Sequence, residues 1–296
     1  MRHIILTLTI ICIGLSSCTQ VPLNVGSYNI RYDNPGDVQQ GNAWTKRVGP
    51  ICEFLHFENW DIFGAQEVLH HQLADLTASL SNYNYIGVGR DNGKEEGEYA
   101  PIFYKKDRIE CLEKGWFWLS ETPDVPGSRG WDAACNRICT WGKFEDKANK
   151  CKFWFFNLHL DHEGKVARTE GAKLVLSKIQ ELCGESPFIL TGDFNSDQRD
   201  EEYGILTDSG MLFDTYETSQ QRYATTGTTN WYKPEVYNDS RIDHVFVSKH
   251  FTACRYTIKN CFYWDETPEG IKGERRMLSD HYPVDVEVEL PSGYLL

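Results

Sequence analysis

Positive charge is scarce in this sequence: 30 lysines and arginines face 43 aspartates and glutamates, a formal net charge of −13 over 296 residues. So acidic a chain does not coat nucleic acid through bulk charge, although a local basic cleft with metal ions can still grip phosphate. No CxxC pair occurs, which argues against a structural zinc site. There is no GxSxG elbow and no P-loop, so a nucleophilic serine and a nucleotide cradle both lack support. Low-complexity blocks and internal repeats are also missing, and a chain with 41% hydrophobic and 25% charged residues reads as one large globular domain.

Long hydrophobic runs are missing too, apart from the stretch Ile4 to Leu15, which is too short for a comfortable membrane span. Arg2 and His3 precede it and Leu15-Ser16-Ser17-Cys18 follows it, a signal peptide that resembles a bacterial lipobox. The expected organisation is a lipoprotein signal peptide over 1–17, a tether over 18–22 with Cys18 lipid-modified, and a folded domain over 23–296. That places the protein outside the cytoplasm, lipid-anchored on the periplasmic or cell-surface side of a bacterial membrane. Eight cysteines then remain in the domain: Cys52, Cys111, Cys135, Cys139, Cys151, Cys183, Cys254 and Cys261. Export permits disulfides, but several of these thiols sit in apolar strand-like runs, where a free, packed cysteine is the plainer reading.

Hydrophobic periodicity predicts strands over 23–31, 61–68, 83–89, 99–104, 115–119, 138–144, 151–159, 188–193, 242–249, 255–263 and 284–290. Helices are expected over 44–57, where Val48, Ile51 and Leu55 recur at helical spacing with Pro50 near the first turn, over 69–80, and over 165–183, ending at Gly184. The stretches 218–237 and 264–278 read as loops. Helices flanking many strands imply sheets packed on sheets and covered outside by helices.

Six segments contain residues suited to phosphate and a divalent metal: SYNIR (Asn29), GAQEV (Glu67), FFNLHLDH (His159), LTGDFNSD (Asp193, Asn195), RIDHVFVS (Asp243) and MLSDHYPV (Asp280, His281). Most lie where an apolar run stops, and a buried strand delivers its last side chain to the surface there. A carboxylate closing such a run is costly unless it meets a cation. Plainer readings exist: Glu67 as an acid at a helix start, Gly192-Asp193 as a turn, His159 as a structural or merely exposed histidine, while HLDH also offers His159 with His162 as a transition-metal pair, the weaker functional alternative. A histidine pinned by a separate carboxylate serves as base or phosphate clamp, which singles out Asp243 with His281.

Taken together, GDFN followed far downstream by SDH, with QE and NLH upstream in that order, resembles the endonuclease/exonuclease/phosphatase superfamily of metal-dependent phosphoesterases, over residues 23–290. The resemblance implies an α/β (α+β) four-layer sandwich, two mixed β-sheets face to face with helices on both outer sides. It implies Glu67 as the main ligand of Mg²⁺, or of Mn²⁺ as an alternative, with Asn29 and Asp280 close to the metal. His159 would bind a phosphate oxygen, Asn195 would hold the phosphate, and Asp193 would orient or deprotonate the attacking water. Asp243 would orient His281, which contacts the phosphate or acts as base; whether Asp193 or His281 takes the proton stays open. Glu98 falls where some members place a carboxylate that supports the first histidine.

The expected activity is Mg²⁺-dependent hydrolysis of phosphate esters by in-line attack of water, as a phosphodiesterase or phosphatase. The rivals are a 3′-to-5′ exonuclease like the deadenylase branch and a catalytically silent lipoprotein that binds phosphorylated ligands. Partners would be a phosphorylated small molecule or nucleic acid, and the membrane through lipid alone, with the protein a monomer. Loop residues suited to substrate are Arg31, Arg137, Trp131 and Arg168, with Trp44, Arg47, Arg129, Trp231 and Trp264 as further candidates, arginine for phosphate and tryptophan for a ring or sugar face.

Overall fold

The structure is a computed structural model that describes residues 22–265 and 273–290. The signal peptide 1–17, Cys18 and the tether up to residue 21 fall outside the described residues. In chain order the first half holds β1 (Leu23–Asn29), α1 (Pro35–Val38), α2 (Trp44–Glu58), β2 (Ile62–Gln66), α3 (His70–Ser79), β3 (Tyr83–Ile86), β4 (Ile102–Lys105), β5 (Ile109–Trp118), β6 (Ile138–Asp146) and β7 (Lys152–His159). The second half holds α4 (Lys165–Cys183), β8 (Phe188–Asp193), α5 (Glu201–Thr207), β9 (Phe213–Asp214), α6 (Thr215–Thr218), β10 (Gln221–Tyr223), β11 (Asp243–Val247), β12 (Thr252–Ile258), β13 (Phe262–Asp265), β14 (Glu274–Met277) and β15 (Val284–Glu289).

Two mixed sheets form the body, one ordered β10-β12-β15-β1-β2-β4-β3 and the other β5-β6-β7-β8-β11-β9, with β13 and β14 as a separate ribbon. Strands β1 and β2 run parallel, as do β7 and β8, while β15 runs against β1 and β11 against β8. Val25, Ile62, Phe155, Ile189, Val245 and Val286 are fully buried in the core shared by the two sheets. On the outside of the first sheet Tyr28 and Phe63 pack with Ile51 and Leu55 of α2 and Leu73 of α3; on the outside of the second, Leu158 and Leu190 pack with Val175 and Ile179 of α4. The result is the four-layer α/β sandwich, with largely apolar strands such as β7 buried on both faces.

One polar patch interrupts the apolar core just under the motif-bearing strand ends. Asn157 on β7 accepts from Gln66 Nε2 at 2.7 Å and from Thr191 Oγ1 at 3.1 Å, and donates to the carbonyls of Ala65 and Pro101. Gly64 on β2 makes room for it, since a Cβ there would stand 2.2 Å from Asn157 Oδ1 and 2.4 Å from Thr191 Oγ1. Every buried polar group in the patch is directional, so it fixes how the two sheets slide against each other in a way that apolar contacts do not.

The predicted elements differ from the observed ones mainly where patterns are short. β5 begins at Ile109, six residues before the predicted start, because its alternating exposed residues read as a polar segment. The predicted strand 255–263 is two strands, β12 and β13, and the loop-like stretches hold β10 and β14. Pro50 lies in the second turn of α2 and the helix continues through it to a left-handed cap at Asn59, φ 51°. The eight cysteines of the domain are all free thiols.

Candidate functional site

Strand direction explains why scattered motifs meet. The C-terminal ends of β1, β2, β7 and β8 and the N-terminal ends of β11 and β15 lie along one edge of the stacked sheets, and register pairs His159 with Asp193 and Asp243 with Asp193 directly. Asn29, Glu67, His159, Asp193, Asn195, Asp243, Asp280 and His281 all converge there. All of them but Asn29 and Asp243, which lie behind the others, line a cavity of about 520 Å³ whose wall also includes Arg31, Glu98 and Arg137.

Asn29 is the central orienting group. Its Nδ2 donates to Glu67 Oε1 at 3.0 Å and to Asp193 Oδ2 at 2.9 Å, while its Oδ1 accepts the Arg31 amide. The amide oxygen is therefore turned away, and Asn29 acts on the carboxylates rather than as a ligand in this arrangement. Glu67 also accepts from the Tyr32 amide at 3.1 Å. His281 Nδ1 donates to Asp243 Oδ2 at 2.8 Å, the dyad expected from the motifs, and its Nε2 stands 3.7 Å from Asp193. Asp280 lies 3.5 Å from Arg31 Nη1.

His159 has a defined tautomer. Asn195 Nδ2 donates to the Leu160 carbonyl at 3.0 Å and faces His159 Nε2 at 3.1 Å, so that nitrogen accepts and the proton sits on Nδ1. His159 Nδ1 and Arg137 Nη1 are both buried without a protein partner, and both residues border a cavity of about 10 Å³ beside Glu98, whose Oε2 is 3.8 Å from His159 Nδ1. That space is close to what one water needs. Glu98 in turn holds Arg90 through two bonds of 2.7 and 2.8 Å, consistent with a supporting place behind the first histidine.

The environments drive these pKa values apart. Burial and the neighbouring Asp243 charge push Asp193 up to about 7, against the pull of His281. Burial pushes His281 down, but Asp243 and Asp193 outweigh it and hold the imidazole protonated well above its usual range. Burial together with Arg137 and Arg90 keeps His159 neutral. Burial raises Asp280, partly offset by His281. Diverging titration of neighbouring groups marks acid–base sites.

The carboxylates fit a divalent cation. Glu67 and Asp193 bring oxygens within 4.8 Å of each other and of His281, which, carrying both its protons, stands beside such an ion as a donor rather than as a ligand. Burial raises Asp193 and Asp280, and the like charges of Asp243 and Glu67 add to it, a strain that a cation would relieve. A second close group, Cys135 with Asp161 and His162, does not fit one. Arg137 Nη2 sits 2.8 Å from His162 Nδ1 and Nε 3.2 Å from Asp161 Oδ2, so a guanidinium already occupies the charge site. The His159–His162 metal pair suggested by HLDH is thereby corrected.

Asp161 is instead a loop anchor. Its carboxylate accepts the amides of Ala134, Glu163 and Gly164, and although burial opposes it, those bonds and Arg137 hold its pKa below the usual carboxylate range. A depressed folded pKa contributes stability that is present above the unfolded value of about 3.9 and fades as pH falls below it. Asp161→Asn is therefore expected to melt below wild type at pH 7, with the gap narrowing progressively under pH 4 in thermal melts; a gap independent of pH would sink this assignment.

Of the substrate candidates, Arg31, Arg137 and Trp231 line the cavity. Trp131 and Arg168 do not: Trp131 N is held by Glu121, Asp132 next to it accepts the Val166 and Ala167 amides at the start of α4, and Arg168 is turned to the Asp161 carbonyl and Glu202. Those two serve the loop, not the ligand. Trp44 and Arg47 are buried in α2. Arg47 donates to the carbonyls of Ile30, Arg31, Asn42 and Leu278 at 2.6 to 3.0 Å, tying the loop after β1 to the segment before Asp280. Sequence reasoning missed Tyr32, Arg90 and Cys135 on the cavity wall, since none closes an apolar run. It also missed the left-handed backbone of Arg31, Glu67, Asn195 and Trp231, all cavity residues with φ between 47 and 61°. Such conformations in non-glycine residues cluster where surroundings over-determine them.

Residues 26–281 match the profile of the Endonuclease/Exonuclease/phosphatase family. A solved structure of a family protein from Bacteroides thetaiotaomicron is 46% identical with a TM-score of 0.88, covering 92% of this chain and 99% of that one. A mannosyl-6-phosphatase from the same organism is 47% identical with a TM-score of 0.86, covering 90% of this chain and 99% of that one. Nocturnin of Drosophila melanogaster is 22% identical over 88% of this chain and 44% of its own length.

Proposed function

We propose, from the premise that this chain belongs to the endonuclease/exonuclease/phosphatase family, that it is a Mg²⁺-dependent phosphatase acting on a small sugar phosphate. Hydrolysis of phosphoric esters follows from the family. The narrower reading rests on the 520 Å³ cavity, large enough for a phosphorylated monosaccharide unit, with the carboxylate, histidine and amide groups on its wall. The net charge of −13 counts against an extended polyanion, and likeness to a mannosyl-6-phosphatase over nearly the whole of both chains favours a sugar.

Glu67 and Asp280, with Asn29 fixing the Glu67 rotamer, would hold the cation, and Asp193 lies within its reach. Bound there, a divalent ion supplies charge compensation for the phosphoryl oxygens and makes water a better nucleophile. Protonated His281, steadied by Asp243, donates toward the oxygen on which charge develops. An imidazole already carrying its proton is a poor base, which leaves Asp193 to take the proton of the attacking water. Asn195 positions the phosphate next to His159. In this reading the enzyme is exported and tethered by lipid at Cys18.

The test is hydrolysis by purified residues 19–296 of mannose 6-phosphate, bis(p-nitrophenyl) phosphate and a labelled RNA strand, with Mg²⁺ or with EDTA. Metal-dependent turnover is expected, with the monoester preferred by about tenfold or more over the others. Preferential RNA cleavage would replace the phosphatase reading with a nuclease.

A further inference from the structure

Trp231 stands out on the cavity wall because its position is expensive. It is 58% exposed although tryptophan is the largest apolar side chain in the molecule, and it lies with Tyr232 in two successive left-handed conformations, φ 52 and 56°. Each such non-glycine residue persists only where neighbours enforce it. The enforcement is visible. Asn230 and Trp231 amides both donate to the Asp280 carbonyl, at 2.8 and 3.1 Å, Asn230 Nδ2 donates to the Ser279 carbonyl, and the Tyr232 amide closes on Asn230 Oδ1. Thr229 bridges to His281. Of the two strained residues, Tyr232 packs against the core and Trp231 is turned out, its ring 6.3 Å from the His281 ring in an edge contact.

The loop is thus fastened to the very segment that carries Asp280 and His281, and what it holds still is an aromatic wall. The same cavity is also lined by Arg90, Arg137 and His162, which bring N–H groups to it. An aromatic face and donors in one cavity suit a ring with an apolar C–H face and hydroxyls at its edge.

We propose that Trp231 is the platform for the leaving group, taking the C–H face of a hexopyranose that bears the scissile phosphate. This rests on the phosphatase reading and adds where the sugar lies. The indole face is electron-rich and flat, so it gains from polarised C–H groups and from apolar area removed from water. A substrate without a ring gains nothing from it, and Trp231 therefore sets specificity rather than the chemistry of the phosphate.

The experiment compares kcat/KM of wild type, Trp231→Ala and Trp231→Phe on mannose 6-phosphate, ethyl phosphate and adenosine monophosphate with Mg²⁺. In Trp231→Ala the loss on mannose 6-phosphate, carried mostly by KM, is expected to exceed the loss on ethyl phosphate by about tenfold or more, with Trp231→Phe recovering most of it. Equal losses on both substrates, or none, would overturn the platform. A selective loss on the nucleotide alone would overturn the sugar assignment. If wild type turns over no monoester, calorimetric binding of mannose 6-phosphate to Asp193→Ala, with and without Trp231→Ala, decides: weaker binding in the double variant keeps the platform and sinks the phosphatase, and no binding at all sinks both.

Discussion

Asp193→Ala is expected to lower kcat for phosphate-ester hydrolysis by about a thousandfold or more while leaving the fold intact or slightly more stable. Asp193 is where the network converges: Asn29 and the Asn195 amide donate to it, and His159 and His281 stand 3.4 and 3.7 Å away. Its carboxyl is pushed up to about 7 by burial and by Asp243. A raised carboxyl pKa is a stability cost that builds up as pH rises from the unfolded value to the folded one and stays in full above it, because the unfolded chain ionises freely where the folded chain resists. Removing the group therefore removes the cost, and melts without added metal at pH 7 should show the variant at or above wild type. Retained activity would sink the assignment as base; a fall in Tm of many degrees would show that Asp193 is structural first.

Arg47→Met carries the largest expected loss of stability, about 3 kcal/mol or more. Arg47 is fully buried, and its guanidinium serves four carbonyls from three separate segments. Methionine matches the volume but leaves those carbonyls unpaired. Two of the segments hold Asn29 and Asp280 in place, so activity should fall with stability although Arg47 itself does not line the cavity and reaches its wall only through the Arg31 carbonyl. Arg47→Lys is the informative companion: a point charge cannot match a planar fork spread over four acceptors, and it should recover little. A lysine variant melting with wild type would mean that charge alone suffices.

Asn29, Glu67, His159 and Asp193 were legible in the sequence because each ends or directly follows an apolar strand, a signal of period and composition that needs no tertiary knowledge, whereas Asp243, at the start of a strand, and His281, after a loop, became legible only through the order of the motifs. Arg47 was read as a substrate candidate and proved to be a clamp, since helical periodicity marks Val48, Ile51 and Leu55 as buried but says nothing of an arginine on the same face. Trp131 and Arg168 misled for the same reason: residue type suggests chemistry, while carbonyls and carboxylates nearby decide where the side chain goes. The short elements α1, α5, α6, β9 and β10 escaped notice because four to seven residues or fewer carry too little pattern to separate from a loop.

The stacking of the two sheets also governs how the molecule would fail. Asn29 ends β1, Glu67 follows β2 and Asp280 precedes β15, all strands of one sheet, while His159, Asp193 and Asp243 belong to the facing sheet. Neither sheet alone bears a reactive fragment, and β1 and β15, near the two chain ends, are neighbours in the same sheet. Loss of activity on heating and loss of the native fold should thus be a single cooperative event, with no half-folded, half-active species along the way.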